Sequence, residues 1–82
     1  MRYINKSEVH TQAVKILRNS KNGMKRTGNR LAACNVDSQI DALINRLKLS
    51  AWGLSDAVII EGLARQLVIE FCQAEINNAN SK

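Results

Sequence analysis

Apolar residues recur at the three- and four-residue spacing of an α-helix in three separate stretches of the chain. The absence of proline leaves long helices unobstructed. The first stretch consists of Val9, Ala13, Ile16 and Leu17, and we expect its helix to begin with Ser7 as the N-cap. The pattern as a whole predicts an all-α chain of three helices.

The second stretch predicts a helix that begins near Ser38 and ends near Gly53. Ser38 is followed three residues later by Asp41, the pattern of a capping box at a helix N-terminus. Gly53 directly follows the only tryptophan, Trp52, and is a typical C-terminal stop. Four apolar residues share one face of this predicted helix: Ile40, Leu43, Ile44 and Leu47.

The third stretch predicts a helix from Ser55, its N-cap, to about Ile76. Part of its apolar surface forms a short heptad-like seam: Ile60, Ala64, Leu67, Phe71 and Ala74. Further apolar residues make this surface wider than a three-helix monomer would cover. We therefore expect a homo-oligomer, a dimer or tetramer, that associates through residues of the second and third helices: Ile40, Leu43, Ile44, Leu47, Ile60, Leu63, Leu67 and Phe71.

The chain of 82 residues is expected to form a single domain. We divide it into a basic helix and linker at 1–36, a helical oligomerisation core at 37–76 and a frayed tail at 77–82. Such a small core needs support, and two cysteines are no disulfide framework, so self-association is the expected source of stability. Neither a signal peptide nor an apolar run of membrane-spanning length is evident, so we expect a cytoplasmic protein without a membrane partner.

The net charge of +5 is concentrated in the first part of the chain. Residues 1–30 carry eight Lys or Arg and one acid, Glu8, for a net charge of +7. Residues 31–82 carry four Lys or Arg and six acids, for a net charge of −2. A basic amino-terminal third is typical of a protein that meets an anionic partner, either nucleic acid or an acidic protein surface. A solvated arm that keeps the protein soluble is the alternative.

Residues that would support catalysis are missing or scattered. His10 is the only histidine and has no Cys or Asp at metal-ligand spacing. The acids are dispersed along the chain, so no pair is expected to divide acid and base roles. The four glycines form no phosphate-binding loop. We therefore expect no enzyme activity, no cofactor and no metal site.

The segment RLAACNV, residues 30–36, separates two interpretations. As a strand followed by a helix at 38–52 and by GLSDAVIIEG, it loosely resembles the ribbon-helix-helix proteins over residues 30–72. That resemblance implies a dimeric DNA-binding transcriptional repressor with an intermolecular β-ribbon. The outward face of the ribbon would carry Leu31 and Ala33, which cannot hydrogen-bond base edges in the major groove.

In its short length, apolar helices and lack of catalytic residues, the chain resembles small temperate-phage regulators of the antirepressor type. That resemblance implies a non-enzymatic regulator that binds a transcriptional repressor, and it transfers no residue roles. The charge pattern predicts that an acidic partner surface contacts five cations: Arg18, Lys21, Lys25, Arg26 and Arg30. An exposed Trp52 would add an apolar anchor to this partner site; the alternative is that Trp52 packs against the core at the turn between the second and third helices. A helix or loop at 30–36 favours this protein partner, and a β-ribbon there favours DNA.

Overall fold

The structure, a computed structural model, describes residues 4–20, 24–48 and 53–80. These residues form four α-helices: α1 (Lys6–Arg18), α2 (Lys25–Ala33), α3 (Asp37–Leu47) and α4 (Asp56–Asn80). The all-α prediction is confirmed, and no strand occurs in the described ranges. The predicted number of three helices is wrong, because α2 occupies a segment that the sequence pattern assigned to a linker.

The start of α1 lies earlier than predicted. Asn5, not Ser7, is the N-cap, and its side-chain oxygen accepts a hydrogen bond of 3.3 Å from the backbone N–H of Glu8. Asn ranks with Ser among the best N-cap residues, so the local sequence offered two equivalent starts. The buried side of α1 includes Val14, whereas Ile16, which we expected in the apolar stripe, is 37% exposed.

Helix α2 forms against its local sequence. Its N-cap residue, Met24, makes no side-chain capping bond, and Gly28 in its middle costs about 1 kcal/mol relative to Ala. Packing against α1 and the core stabilises the helix instead. Leu31 is fully buried, and a Cβ on Gly28 would lie only 3.2 Å from Cβ of Leu17, so α2 approaches the backbone of α1 closely.

The predicted capping box and end of α3 are both wrong. The helix begins one residue before Ser38, and the side chain of Asn35 accepts a 3.2 Å hydrogen bond from the N–H of Asp37 instead. It ends at Leu47, because Lys48 adopts a left-handed conformation with φ of 50° that terminates the helix. The helix therefore stops several residues before the predicted end near Gly53.

The predicted start of α4 is confirmed, and its predicted end is too early. The hydroxyl of Ser55 accepts a 3.4 Å hydrogen bond from the N–H of Val58, as an N-cap does. The helix continues past Ile76 to Asn80, so most of the segment expected to be a frayed tail is helical. None of the four described helices has the length and apolar character needed to cross a membrane.

All four helices contribute to one hydrophobic core. Within the described residues its buried members are Ile4, Val9, Ala13, Val14, Leu17, Leu31, Val36, Ile40, Leu43, Ile59, Ile60, Leu63, Ala64 and Leu67. Five of the eight residues predicted for an oligomer interface belong to this core: Ile40, Leu43, Ile60, Leu63 and Leu67. The other three, Ile44, Leu47 and Phe71, pack against it partly buried. These side chains therefore pack inside a single chain, in which α4 contacts both α1 and α3.

Surface ion pairs join the helices around this core. They link α1 to α3, α2 to α4 and α3 to α4 through Lys6–Asp41 at 3.1 Å, Arg30–Glu75 at 2.6 Å, and Arg46–Glu70. Exposed pairs of this kind contribute at most about 1 kcal/mol each. They orient the helices more than they stabilise the fold.

Candidate functional site

The structure places the predicted partner-binding cations on two packed helices. Arg18 lies at the end of α1, and Lys25, Arg26 and Arg30 lie on α2, all with exposed side chains. The other two predicted residues, Lys21 and Trp52, fall outside the described residues. The structure adds an exposed cation that the sequence analysis did not select, Lys15, one turn before Arg18. Residues three apart on a helix share a face, so the spacing between Lys15 and Arg18 could have identified Lys15 from the sequence.

Lys15, Arg18, Lys25 and Arg26 form what we call the basic face. Lys15 and Arg18 lie on α1, and Lys25 and Arg26 lie on α2. A 3.1 Å hydrogen bond from Nε of Arg18 to Oδ1 of Asn29 connects the two helices at this face. Lys25 and Arg26 precede Asn29 by four and three residues, so they lie on the same side of α2. The described residues provide no acidic partner for any of these four cations.

The other exposed cation of α2, Arg30, has a different role. Its guanidinium lies 2.6 Å from the carboxylate of Glu75, and the pair connects α2 to α4. Arg65 on α4 is similarly paired, with Glu61 one turn earlier at 2.8 Å. Because an attached acid neutralises its charge locally, Arg30 contributes less to partner attraction than the sequence analysis expected.

Two contacts with α2 hold the side chain of Arg18 in place. A Cβ on Gly28 would lie 3.0 Å from its Cγ, so the aliphatic stem of Arg18 rests against the glycine. Its Nε–H is taken by Asn29, which leaves the four N–H groups on the two terminal nitrogens as donors. A guanidinium held in this way is oriented to bind a carboxylate with two parallel hydrogen bonds.

A shallow groove of about 270 Å³ lies between α1 and α2 beside this arginine. We call it the α1–α2 groove, and its lining residues are His10, Thr11, Val14, Lys15, Arg18 and Ala32. Val14 and Ala32 are its apolar part, and the two cations form one end. His10 ties the helices together across the groove, since its Nε2 donates a 2.7 Å hydrogen bond to the backbone carbonyl of Leu31.

Two titratable groups of the described residues, both on α4, have a shifted pKa. Hydrogen bonds from Gln66 and then Arg46 hold the pKa of Glu70 below its usual value. Burial, and then the nearby charge of Glu75, raises the pKa of Cys72, which keeps its thiol protonated and weakly nucleophilic. Across the described ranges, no three His, Cys, Asp or Glu side chains gather in a way that could hold a metal ion.

The segment that separated the two functional interpretations is not a strand. Residues 30–33 form the last turn of α2, and Cys34 begins the short connection to α3. The exposed side of α3 carries Asp37, whose charge would oppose a phosphate backbone. Asp41 on the same helix is paired with Lys6. Comparisons with protein-family models, with curated proteins and with solved structures found no match.

Proposed function

We propose that the protein is a small non-enzymatic regulator of the cytoplasm that binds an acidic surface of another protein through its basic face. The most specific form of the proposal is an antirepressor, which binds a transcriptional repressor and inactivates it. The observation that carries it is the basic face itself, four neighbouring cations without an acidic partner among the described residues. Most other described cations are instead joined to acids of the chain.

The unfavourable electrostatics of α2 support a role in binding. Lys25 and Arg26 lie in its first turn, where the positive end of the helix dipole repels cations by about 0.3–1 kcal/mol each. Arg26 and Arg30 are four residues apart, and such like-charge pairs cost roughly 0.2–0.5 kcal/mol. Carboxylates of a partner would relieve this repulsion. Proteins tend to tolerate such local conflicts where a function requires them.

DNA is the alternative partner, and the same cations would then contact phosphates, as in a ribbon-helix-helix-type repressor. Phosphate contacts position a protein without specifying sequence, so polar side chains must also reach base edges. Asn29, a polar uncharged residue beside these cations, is held toward α1 by the hydrogen bond that its Oδ1 accepts from Arg18. The helix at residues 30–33 also removes the ribbon that would enter a groove. Both observations favour a protein partner.

The proposal includes self-association as a dimer or tetramer. Five of the interface residues expected from the sequence are buried in the core, so we add exposed apolar residues of α4 to the proposed interface. Three large apolar side chains of α4 are half or more exposed: Val58 (50%), Ile69 (59%) and Ile76 (54%). Sedimentation equilibrium of the wild-type protein and an Ile69→Glu variant tests this part, and a monomeric wild type would refute it.

Binding to DNA and to protein can be separated directly. We expect fluorescence anisotropy with mixed-sequence duplex DNA to show weak binding even at low salt. Tight binding whose logarithm falls linearly with the logarithm of salt concentration would instead assign the cations to phosphates and refute the proposal.

The protein partner is tested by capture from a lysate of the source cells with charge-reversed variants. Lys25→Glu/Arg26→Glu reverses two cations of the basic face. The matched control, Lys48→Glu/Arg65→Glu, makes the same charge change at exposed positions elsewhere. We expect wild type and control to retain one partner that the first variant loses. Equal capture by both variants would contradict a role for the basic face.

A further inference from the structure

We propose that the α1–α2 groove receives an apolar side chain of the bound partner, beside a partner carboxylate held by Arg18. The ligand class is therefore an acidic peptide segment with an apolar residue next to its acids, rather than a purely acidic surface. This inference rests on the proposed function, because it specifies what the basic face binds.

The groove has the size and lining for a side chain. Its volume of about 270 Å³ lies below the roughly 300–1,000 Å³ of pockets that hold small molecules and cofactors. Val14 on α1 and Ala32 on α2 supply its apolar surface, and Ala32 is small, so nothing at that position projects into the groove. An apolar group placed there would bury surface on both helices, a contribution that charge attraction alone does not provide.

The cations at the end of the groove determine what lies next to that side chain. Arg18 is held by Gly28 and Asn29, and no other residue that the structure describes engages its terminal nitrogens. Lys15 lies one turn earlier on the same helix. A carboxylate on these residues would be adjacent to the apolar part of the groove. The charge complementarity thus favours a segment in which an acid and an apolar residue are neighbours. Because Arg18 is already fixed, less side-chain entropy is lost on binding.

The test uses two substitutions on neighbouring exposed residues of α2. Ala32→Lys fills the groove and adds a positive charge, whereas Ala33→Lys adds the same charge at a position outside the groove. Random linear peptides are first selected on the wild-type protein, and the enriched peptides are then titrated against wild type and both variants. We expect the enriched peptides to combine Asp or Glu with an aliphatic or aromatic residue.

Only one of the two substitutions should weaken the binding of these peptides. Ala32→Lys should weaken binding about tenfold or more, the effect of losing one buried apolar side chain, despite its added charge. Ala33→Lys should leave affinity unchanged or increase it. Chemical-shift changes on the wild-type protein should centre on Thr11, Val14 and Ala32. Circular dichroism of Ala32→Lys confirms that a loss of binding does not reflect unfolding.

The outcomes separate this inference from the proposed function. If both variants bind the acidic peptides at least as tightly as wild type, the groove has no role, while the basic face keeps its function. If enriched peptides contain acids without an apolar neighbour, the inference is refuted in the same way. If no acidic peptide is enriched, or if Arg18→Gln binds as tightly as wild type, both the inference and the function of the basic face are overturned.

Discussion

Substitution of Gly28 by alanine tests how closely α2 packs on α1. In an exposed helix this change stabilises a protein by about 1 kcal/mol, because alanine is the better helix former. Here the new Cβ would lie 3.0 Å from Cγ of Arg18 and 3.2 Å from Cβ of Leu17. The Arg18 stem can rotate away, but the Leu17 Cβ is fixed to the α1 backbone. The backbone nitrogen of Arg18, at 3.3 Å, cannot move independently either.

The expected magnitude follows from two opposing effects. Overpacking of this kind typically costs about 1–3 kcal/mol, and the gain in helix propensity offsets about 1 kcal/mol of it. We therefore expect Gly28→Ala to lower the free energy of unfolding by about 1 kcal/mol. For a domain of this size that corresponds to a fall in Tm of roughly 4–8 °C.

Urea and thermal unfolding followed by circular dichroism measure this change. The matched control is Ala32→Gly, which exchanges the same two residue types on the exposed side of α2 and should cost roughly 0.5–1 kcal/mol. If Gly28→Ala instead raises stability by about as much as Ala32→Gly lowers it, helix propensity alone governs the site. The close approach of α1 and α2 would then be refuted.

Two further predictions concern the core and the helix–helix contacts. Leu31→Ala should lower the free energy of unfolding by about 2–5 kcal/mol in urea titrations, because the side chain is fully buried. Gln12→Ala, at an exposed position of α1, should change it by less than about 0.5 kcal/mol, and a Leu31→Ala loss as small as this would place α2 outside the core. Glu70→Gln should cost at most about 1 kcal/mol at neutral pH. The pKa of Glu70 in the folded protein lies below its usual 4.5, so the stability difference between wild type and Glu70→Gln is fully present above pH 4.5. This difference should disappear as the pH falls through the folded-state pKa. A stability difference that persists undiminished at the lowest pH at which the protein still folds would contradict this origin.

The helices with regular apolar spacing were predictable because their buried faces repeat at helical intervals. The steps from Ile40 to Leu47 and from Ile60 to Phe71 identified α3 and α4 correctly, and Ser55 identified the start of α4. Helix ends were less accurate, since several residues can cap a helix equally well. Asn5 replaced Ser7 at the start of α1, and the left-handed conformation of Lys48 ended α3 before the expected glycine.

Helix α2 was not predictable, because its own residues have a low tendency to form a helix. It has only one fully buried large side chain, Leu31, a central glycine and cations in its first turn. What stabilises it comes from α1: the backbone that Gly28 approaches and the hydrogen bond from His10 to the carbonyl of Leu31. The apolar surface of α4 that the pattern assigned to a second copy of the chain packs instead against α1 and α3.

The amino-acid sequence by itself determined that the chain is helical, which faces are apolar, and that positive charge concentrates toward its amino terminus. Those properties are local, since they depend on residue spacing and on the identity of each side chain. The tertiary structure alone decided that the apolar faces bury one another within one chain. It also decided that Arg30 pairs with Glu75, whereas Arg18 is held beside the α1–α2 groove with terminal nitrogens that no other described residue engages. These outcomes depend on contacts between residues far apart in sequence, and a helical pattern does not specify which helix covers which face.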